Sequence, residues 1–581
     1  MYKYPLYDVR QIEDLRDMLE QSIKLYGDKP AYMVKDPIAA RTGTEAAEGD
    51  KKPYLPITFN QYGKDVKALG SYLMQTDVPI KRVAILGETR YEWYVSYMAT
   101  VCGYGVVVPL DKELPDLELK SLLERSEASI LIYAGSKQKS IDAIRDQLPG
   151  IKLYISMDKN DDVYFWDCIK EGNAIRAGGD LSYDQAPIDR EAMNILLFTS
   201  GTTARSKAVM LSHKNICKNL MAMCSMLYID EKDVFLSVLP IHHTYECTCG
   251  FLCQMYRGCT VAVCEGLRYI VQNLQESKAT MILVVPLMLE MFYKRIMKGA
   301  TADPKLARKF KIGLGLTKVL GALGIDRRKK VFSRIHDMFG GNIRMMIAGG
   351  AAIAPHVLKG MQDLGFAAVQ GYGLTECAPI LALNRDKYYK DESAGLPLPG
   401  VDIKIIDPDE NGIGEIAGRG DNVMIGYYND EEATAAAIDE EGFYHTGDLG
   451  KLDKDNFVII TGRKSNLIVT KNGKNIFPEE IEFLLTQNPL IQEAVVSGVK
   501  NAKGDIEVVA EIFPSAEAIE EDPELKGESL TSAKVQAKLD AFVREMNHNL
   551  ATYKYVRKVT LRDTEFDKTT SRKIRRNNIQ N

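Results

Sequence analysis

Residues 82–109 read RVAILGETRYEWYVSYMATVCGYGVVVP. Arg82–Leu86 (RVAIL) is short, apolar and β-branched, the composition of a buried strand. Tyr91–Cys102 follows with a helical pattern, and Gly105–Pro109 (GVVVP) returns to strand composition. A strand–helix–strand run of this kind folds as parallel strands joined by a crossover helix. The same rhythm recurs at Ser129–Tyr133 (SILIY), Val234–Leu239 (VFLSVL), Thr260–Val263 (TVAV), Thr280–Val285 (TMILVV) and Ile343–Ile347 (IRMMI). The expected fold class is therefore α/β, with α/β layers and largely parallel strands. No short-period repeat is present.

The chain has 581 residues, too many for one hydrophobic core, so two to four domains are expected. A boundary is expected at Gly462–Arg463, beyond which the elements shorten. Leu467–Thr470 (LIVT), a turn at Lys471–Lys474 (KNGK) and a helix opening at Pro478 come first. Strands at Ala494–Val499 and Glu507–Phe513 and a helix near Ser532–Leu550 follow. These expectations give a large multi-subdomain N-terminal domain, 1–462, and a small α+β C-terminal domain, 463–581.

An apolar content of 45%, a charged content of 26% and a net charge of −5 are ordinary for a soluble domain and give no basic excess towards nucleic acid. The opening MYKYPLYDVR lacks the apolar core of a signal peptide. The apolar run Met281–Met288 (MILVVPLM) is too short to span a bilayer and contains Pro286. A soluble, cytoplasmic protein is expected. Ten cysteines do not make a disulfide scaffold at this length. Cys247, Cys249 and Cys253 lack a paired C-x-x-C spacing, so they read as buried thiols on a helix rather than a zinc site. Pro37–Pro53 reads as an exposed loop. Ala302–Arg334 is basic and helical in pattern. It reads as a solvated face, or as a contact with a membrane surface or acidic lipid.

Phe198–Val209 (FTSGTTARSKAV) follows the apolar run Ile195–Leu197. Thr199, Ser200, Gly201, Thr202 and Thr203 precede Lys207. Hydroxyls and open backbone N–H groups can wrap phosphate oxygens, and a lysine adds compensating charge. The pattern is not the G-x-x-x-x-G-K-[ST] phosphate loop, and by itself it is equally a plain Ser/Thr/Gly loop.

This segment resembles the signature loop of the acyl-adenylate-forming family, which includes acyl-CoA synthetases, luciferases and peptide-synthetase adenylation domains. It departs from the family pattern at Ala204, Ser206 and Ala208. Four further segments resemble family motifs in family order. Gly371–Glu376 (GYGLTE) matches the nucleotide motif. The resemblance implies Gly371 and Gly373 as tight turns, Tyr372 stacked on adenine, Thr375 on phosphate, and Glu376 holding Mg²⁺. Ala348–Ala352 (AGGAA) resembles the segment whose backbone lines adenine, at Gly349, Gly350 and Ala351. Tyr444–Asp448 (YHTGD) resembles the ribose motif, implying Asp448 on the ribose and Arg463, 15 residues on, on the nucleotide. Asp567–Arg576 (DKTTSRKIRR) resembles the tail that carries the family's catalytic lysine, here Lys573. Gly414–Tyr428 matches an intervening family segment and reads as mostly structural. Pro240–Glu246 (PIHHTYE) resembles the acyl-CoA synthetase segment with a histidine near the acyl pocket, here His243. Glu246 matches an acidic position common in the long-chain branch. The family hinge falls at Ser465, where Asp or Lys is usual.

The resemblance extends over about residues 20–576. It implies adenylation of a carboxylic acid by ATP, with Mg²⁺, followed by transfer to coenzyme A after the C-terminal domain swings about the hinge. Lys573, Glu376 and His243 would be the catalytic set. Ala302–Arg334 and Pro240–Glu246 are most like the long-chain fatty acyl branch, so a medium- or long-chain fatty acid is expected. Met281–Phe292 and Met221–Met226 read as acyl-pocket lining or as ordinary core. An amino acid substrate would need an acid for its ammonium, and Glu246 is the one candidate. Two other readings stand alongside: delivery of the acyl group to a carrier protein, and a catalytically silent nucleotide-binding relative.

Overall fold

The computed structural model of the protein describes residues 4–35, 53–199, 206–351, 353–470, 474–500, 506–568, 574 and 576. By internal contacts the chain divides into two units. One comprises Met1–Ile403 with Gly418–Tyr444, the other Lys404–Ala417 with His445–Asn581.

The first unit holds two large sheets. In one, the strands Ile195–Thr199, Val106–Leu110, Arg82–Leu86, Ile130–Tyr133, Leu153–Ser156 and Val163–Tyr164 lie side by side and parallel. Its edge is extended antiparallel by Lys207–Leu211 and then Gly426–Tyr427. In the other, Ala367–Gly373, Met345–Ala348, Met281–Val284, Val234–Ser237, Thr260–Val263 and Pro30–Lys35 run parallel. Antiparallel strands flank both sides of it.

The strand Arg82–Leu86 shows why parallel pairing wins. Val83, Ala84, Ile85 and Leu86 are all fully buried, so this strand has no solvent face and needs cover on both sides. The helix Tyr91–Ala99 supplies part of that cover and is itself buried at every position. Its aromatic side chains reach the second sheet's elements. The Tyr94 ring lies 4.8 Å from those of Tyr32 and Phe251, and its hydroxyl is 3.1 Å from Ser237 Oγ.

Several expected elements occur with edges moved by one to three residues. Gly105–Pro109 is a strand over Val106–Leu110, and Ile343–Ile347 is one over Met345–Ala348. The Met281–Phe292 run divides at Pro286. Met281–Val284 is strand, and the proline opens the helix Pro286–Thr301, where its missing N–H costs no helical bond. Met288 and Phe292 pack on the core, and Met221, Met223 and Met226 are buried. The basic stretch forms the helix Pro304–Ala322 and two short helices, Arg328–Val331 and Ser333–Met338. Cys247, Cys249 and Cys253 are buried on the consecutive helical segments Tyr245–Leu252 and Cys253–Arg257. Residues 37–52 of the expected loop lie outside the described residues. Among the described residues, no helix is long and apolar enough to cross a membrane.

In the second unit, Ile491–Lys500 pairs antiparallel with Ile506–Pro514, which pairs parallel with Val556–Leu561. The helices Pro478–Leu485 and Ala533–Asn547 share one core with them, through Ile481, Leu485, Val535 and Leu539. The sequence expectation of a small mixed α and β architecture matches this arrangement.

Helix Phe165–Ala177 lies against helix Phe59–Met74 at Gly172. A Cβ there would stand 1.8 Å from the Ala68 carbonyl oxygen, far inside van der Waals contact. Gly172→Ala must push the two helices apart, and such overpacking costs about 1–3 kcal/mol. Thermal unfolding should show a lowered midpoint; an unchanged midpoint would mean that the two helices can separate freely.

Candidate functional site

In the second sheet, the parallel strands Val234–Ser237, Met281–Val284, Met345–Ala348 and Ala367–Gly373 all end at one edge. Open α/β sheets bind ligands beyond the carboxyl ends of their strands. Three of the sequence-nominated segments start there: Pro240–Glu246, Gly349–Ala351 and Gly371–Glu376. Gly349 is close-packed, since a Cβ on it would stand 2.8 Å from the Tyr245 ring. Tyr245 also donates from its hydroxyl to the Ile347 carbonyl at 2.8 Å. Gly350 has φ +87° with nothing within 4 Å of a Cβ, so its backbone faces open space in a conformation that favours glycine.

Gly371–Gly373 ends a strand paired antiparallel with Ile380–Leu383. At Gly373 a Cβ would collide with the Pro379 carbonyl oxygen at 1.9 Å. The tight return places Thr375 Oγ1 3.3 Å from Thr244 Oγ1, which joins two nominated segments. Asparagines hold the return in place. Asn219, on helix His213–Met226, donates to the Ile380 carbonyl at 2.8 Å. Asn422 donates to the Cys377 and Ile380 carbonyls, each at 3.0 Å. Tyr372 is buried.

Thr199 and Lys207 face each other across the antiparallel pair of Ile195–Thr199 and Lys207–Leu211 in the first sheet. The Lys207 ammonium sits 4.4 Å from the centre of the Tyr427 ring, a cation–π distance. The Tyr427 hydroxyl donates to Glu376 Oε1 at 3.1 Å. Burial, with Glu376 beside it, pushes this phenol well above its usual range, so it keeps the proton it donates. One side chain thus ties the lysine of the hydroxyl-rich loop to the carboxylate nominated for Mg²⁺. Tyr427 comes from the Gly414–Tyr428 segment, read from sequence as mostly structural. Its aromatic GYY run was the only signal, and nothing in the sequence showed which residues it would meet.

His243 accepts the Tyr245 backbone N–H on Nδ1 at 3.2 Å, so in the neutral ring the proton lies on Nε2. Glu246 is wholly buried. Ser237 Oγ donates to its Oε1, while Oε2 is buried without a hydrogen-bond partner among the described residues. Burial pushes its carboxyl up to about 8, against the opposing pull of the Ser237 hydroxyl and the Leu239 backbone. Gly250 leaves room for it, as a Cβ there would stand 2.7 Å from Glu246 Cδ. The helix that carries it, Tyr245–Leu252, is π-wound, a rare geometry that concentrates at functional sites.

In the second unit, Asp448 and Arg463 are opposite each other on paired strands. Arg463 Nε is 2.8 Å from Asp448 Oδ1, and the Asp448 backbone N–H bonds to Thr446 Oγ1 at 3.0 Å. The two residues nominated for the nucleotide are therefore neighbours. Ser465 lies in the short turn Lys464–Asn466. That turn is held by Lys464 to Glu415 at 2.7 Å and by Asn466 to Glu479 at 2.6 Å. Ser200, Gly201, Thr202, Thr203, residues 471–473 of the expected turn, and Lys573 lie outside the described residues.

Among the described residues no three His, Cys, Asp or Glu side chains cluster to hold a metal by themselves. That is compatible with Mg²⁺ on Glu376, since this ion is usually held by one or two carboxylates together with phosphate oxygens and water.

The family profile described as AMP-binding enzyme matches residues 19–428, and that of the AMP-binding enzyme C-terminal domain matches 465–581. The chain belongs to the AMP-binding enzyme family, whose members here include acid–CoA ligases. It is 26% identical over 553 residues to long-chain-fatty-acid–CoA ligase 1 of Cavia porcellus, covering 88% of this chain and 75% of that one. It is also 26% identical over 539 residues to long-chain-fatty-acid–CoA ligase FadD15 of Mycobacterium bovis, covering 89% and 88%. Among solved structures it resembles the o-succinylbenzoate CoA synthetase of Bacillus subtilis in complex with its acyl-adenylate intermediate. The TM-score is 0.72 at 23% identity, over 97% of this chain and 98% of that one. The sequence expectations of fold class and of family are borne out.

The Glu246 carboxyl makes a pH prediction. It ionises near 4.5 when unfolded and near 8 when folded. The folded state holds the proton more tightly, so this group's contribution to stability falls as pH rises between those values, by about 1.4 kcal/mol per unit of separation. Glu246→Gln, neutral at every pH, removes the slope. Melting curves below the unfolded value and above about 8 should show the variant gaining on the wild type as pH rises. A constant difference would contradict the buried neutral carboxyl.

Proposed function

We propose that this protein uses ATP to activate a carboxylic acid as acyl-AMP, releasing pyrophosphate, and then passes the acyl group to coenzyme A, giving acyl-CoA and AMP. The observation that carries the proposal is the tie from Lys207 through Tyr427 to Glu376. It brings a cation and a carboxylate onto one tyrosine at the strand ends where the other nominated nucleotide segments also begin. A carboxylate is a poor electrophile because its leaving group would be oxide. A mixed anhydride with AMP supplies a better one.

Both reactants are anions, so the site has to neutralise charge while holding them in line. Lys207 and the hydroxyls of Thr199–Thr203 would take the β- and γ-phosphates. Mg²⁺, when bound at Glu376, would add charge compensation on the phosphate oxygens. Asp448 would hold the ribose once its contact with Arg463 is shared or released. Tyr372 and Gly349–Ala351 would border the adenine. Lys573 would bridge the carboxylate and the α-phosphate. Holding the reactants in line can supply about 7–11 kcal/mol of the barrier. Release of the adenylate to a thiol would follow rotation of a C-terminal domain, 463–581, about Ser465. His243 would stand at the acyl side of the site.

Support for nucleotide and metal comes from related folds. One complex of the Bacillus subtilis synthetase holds ATP and a magnesium ion, with a TM-score of 0.71. We read the acid as a medium- or long-chain fatty acid. The relatives above are long-chain-fatty-acid–CoA ligases.

Pyrophosphate release should be measured with acids of graded chain length, with and without coenzyme A. Release with fatty acids and thioester only with coenzyme A is the expected outcome. Release without any thioester would favour a carrier-protein acceptor, and no release with any acid would favour a silent relative. Lys573→Ala should abolish adenylation yet leave thioester formation from supplied acyl-AMP largely intact. Equal loss of both steps would refute the role given to Lys573.

A further inference from the structure

The helix Pro304–Ala322 has two apolar faces. One is seated: Phe310 and Leu314 pack on the core, with the Phe310 ring 5.6 Å from that of Phe332. Gly313 and Thr317 on the same side are buried. The other face is exposed. Ile312, Leu316, Val319 and Leu323 recur at intervals of three or four residues, which aligns them along one side of the helix. They are 60%, 48%, 62% and 70% exposed. Single exposed apolar residues need no explanation, but a contiguous stripe marks an interaction surface.

The flanks of this stripe are cationic. Arg308, Lys311 and Lys318 lie on one side at helical spacing, and Lys309 lies on the other. The helix contains no Asp or Glu. Across 303–330 there are nine Lys or Arg residues against two Asp, and both acids are engaged locally. Asp303 caps the helix through the Lys305 N–H at 2.6 Å, and Asp326 pairs with Arg328 at 2.7 Å. The whole chain carries −5, so this concentration of positive charge is local.

We propose that the Ile312–Leu323 stripe docks on an anionic phospholipid bilayer, with the helix lying in the plane of the headgroups. Apolar side chains on one side and Lys/Arg at its borders are the arrangement that inserts shallowly between lipids while pairing with their phosphates. The opposite face is already fixed to the core, so the helix is formed before it meets the membrane. A soluble protein partner with an acidic groove would share the charge complementarity. The bilayer is preferred because basic residues border the exposed apolar stripe on both sides, where headgroup phosphates would meet them. The surface makes no use of the nucleotide site, so its test is independent of the activity proposed above.

The test is flotation of the full-length protein with vesicles of phosphatidylcholine, alone and with phosphatidylglycerol, at low and high salt. The wild type should float with the anionic vesicles at low salt and be released by high salt. The substitutions Ile312→Ser, Leu316→Ser, Val319→Ser and Leu323→Ser together should reduce binding about tenfold or more. Because these side chains face solvent, the melting temperature should be unchanged. Lys309→Glu, Lys311→Glu and Lys318→Glu together should reduce binding at least as far, since each cation near an anionic surface contributes roughly fivefold. The proposal is overturned if the wild type fails to float, if it floats equally on neutral vesicles, or if both variants bind as the wild type does. Binding to soluble polyglutamate without binding to vesicles would also overturn it and assign the stripe to an acidic protein.

Discussion

In the first unit's site, the lysine and the carboxylate meet on one phenol. Tyr427 belongs to a two-residue strand added to the edge of the first sheet, opposite Val209. From there its ring meets the Lys207 ammonium and its hydroxyl meets Glu376, which follows the last parallel strand of the second sheet. A cation and an anion left to themselves would form a direct ion pair. With the ring and its hydroxyl between them, Lys207 is held by a π face and Glu376 by a neutral donor. The short strand exists because Gly426 adopts φ +155° and lies against Thr434, whose hydroxyl accepts the Tyr427 N–H at 2.9 Å.

The fold was legible because its signal is local. A buried parallel strand must be apolar along its whole length, so RVAIL, TVAV and MILV announce themselves in sequence. Edges were less legible, because strand ends are decided by pairing partners that a linear reading does not see. The small unit was read correctly in type for the same reason, with Ile491–Lys500 and Ile506–Pro514 running longer than their apolar cores.

The site was legible where it carries rare combinations, such as GYGLTE, and illegible where it depends on distant contacts. Tyr427, Asn219 and Asn422 are ordinary residues in sequence. Their roles come from positions that only the folded chain brings together. Glu246 was visible as an acid at a family position, but not as a neutral one. That property follows from complete burial, which outweighs the pull of the Ser237 hydroxyl and the Leu239 backbone. The second apolar stripe of helix Pro304–Ala322 was hidden for a related reason. Sequence shows a basic helix with apolar residues, while only the packing of Phe310 and Leu314 shows which of them are already used.

In the reaction proposed for this site, a carboxylate oxygen attacks the α-phosphorus of ATP. The most direct test supplies a fatty acid labelled with ¹⁸O in the carboxylate, together with ATP and coenzyme A, and follows the label by mass spectrometry. Attack at the α-phosphorus makes the labelled oxygen the bridge of the acyl-adenylate, and the thiol then expels it with AMP. The expected products are AMP that has gained one labelled oxygen and pyrophosphate that has gained none. Label in inorganic phosphate, with ADP as the nucleotide product, would mean an acyl phosphate intermediate and would contradict attack at the α-phosphorus.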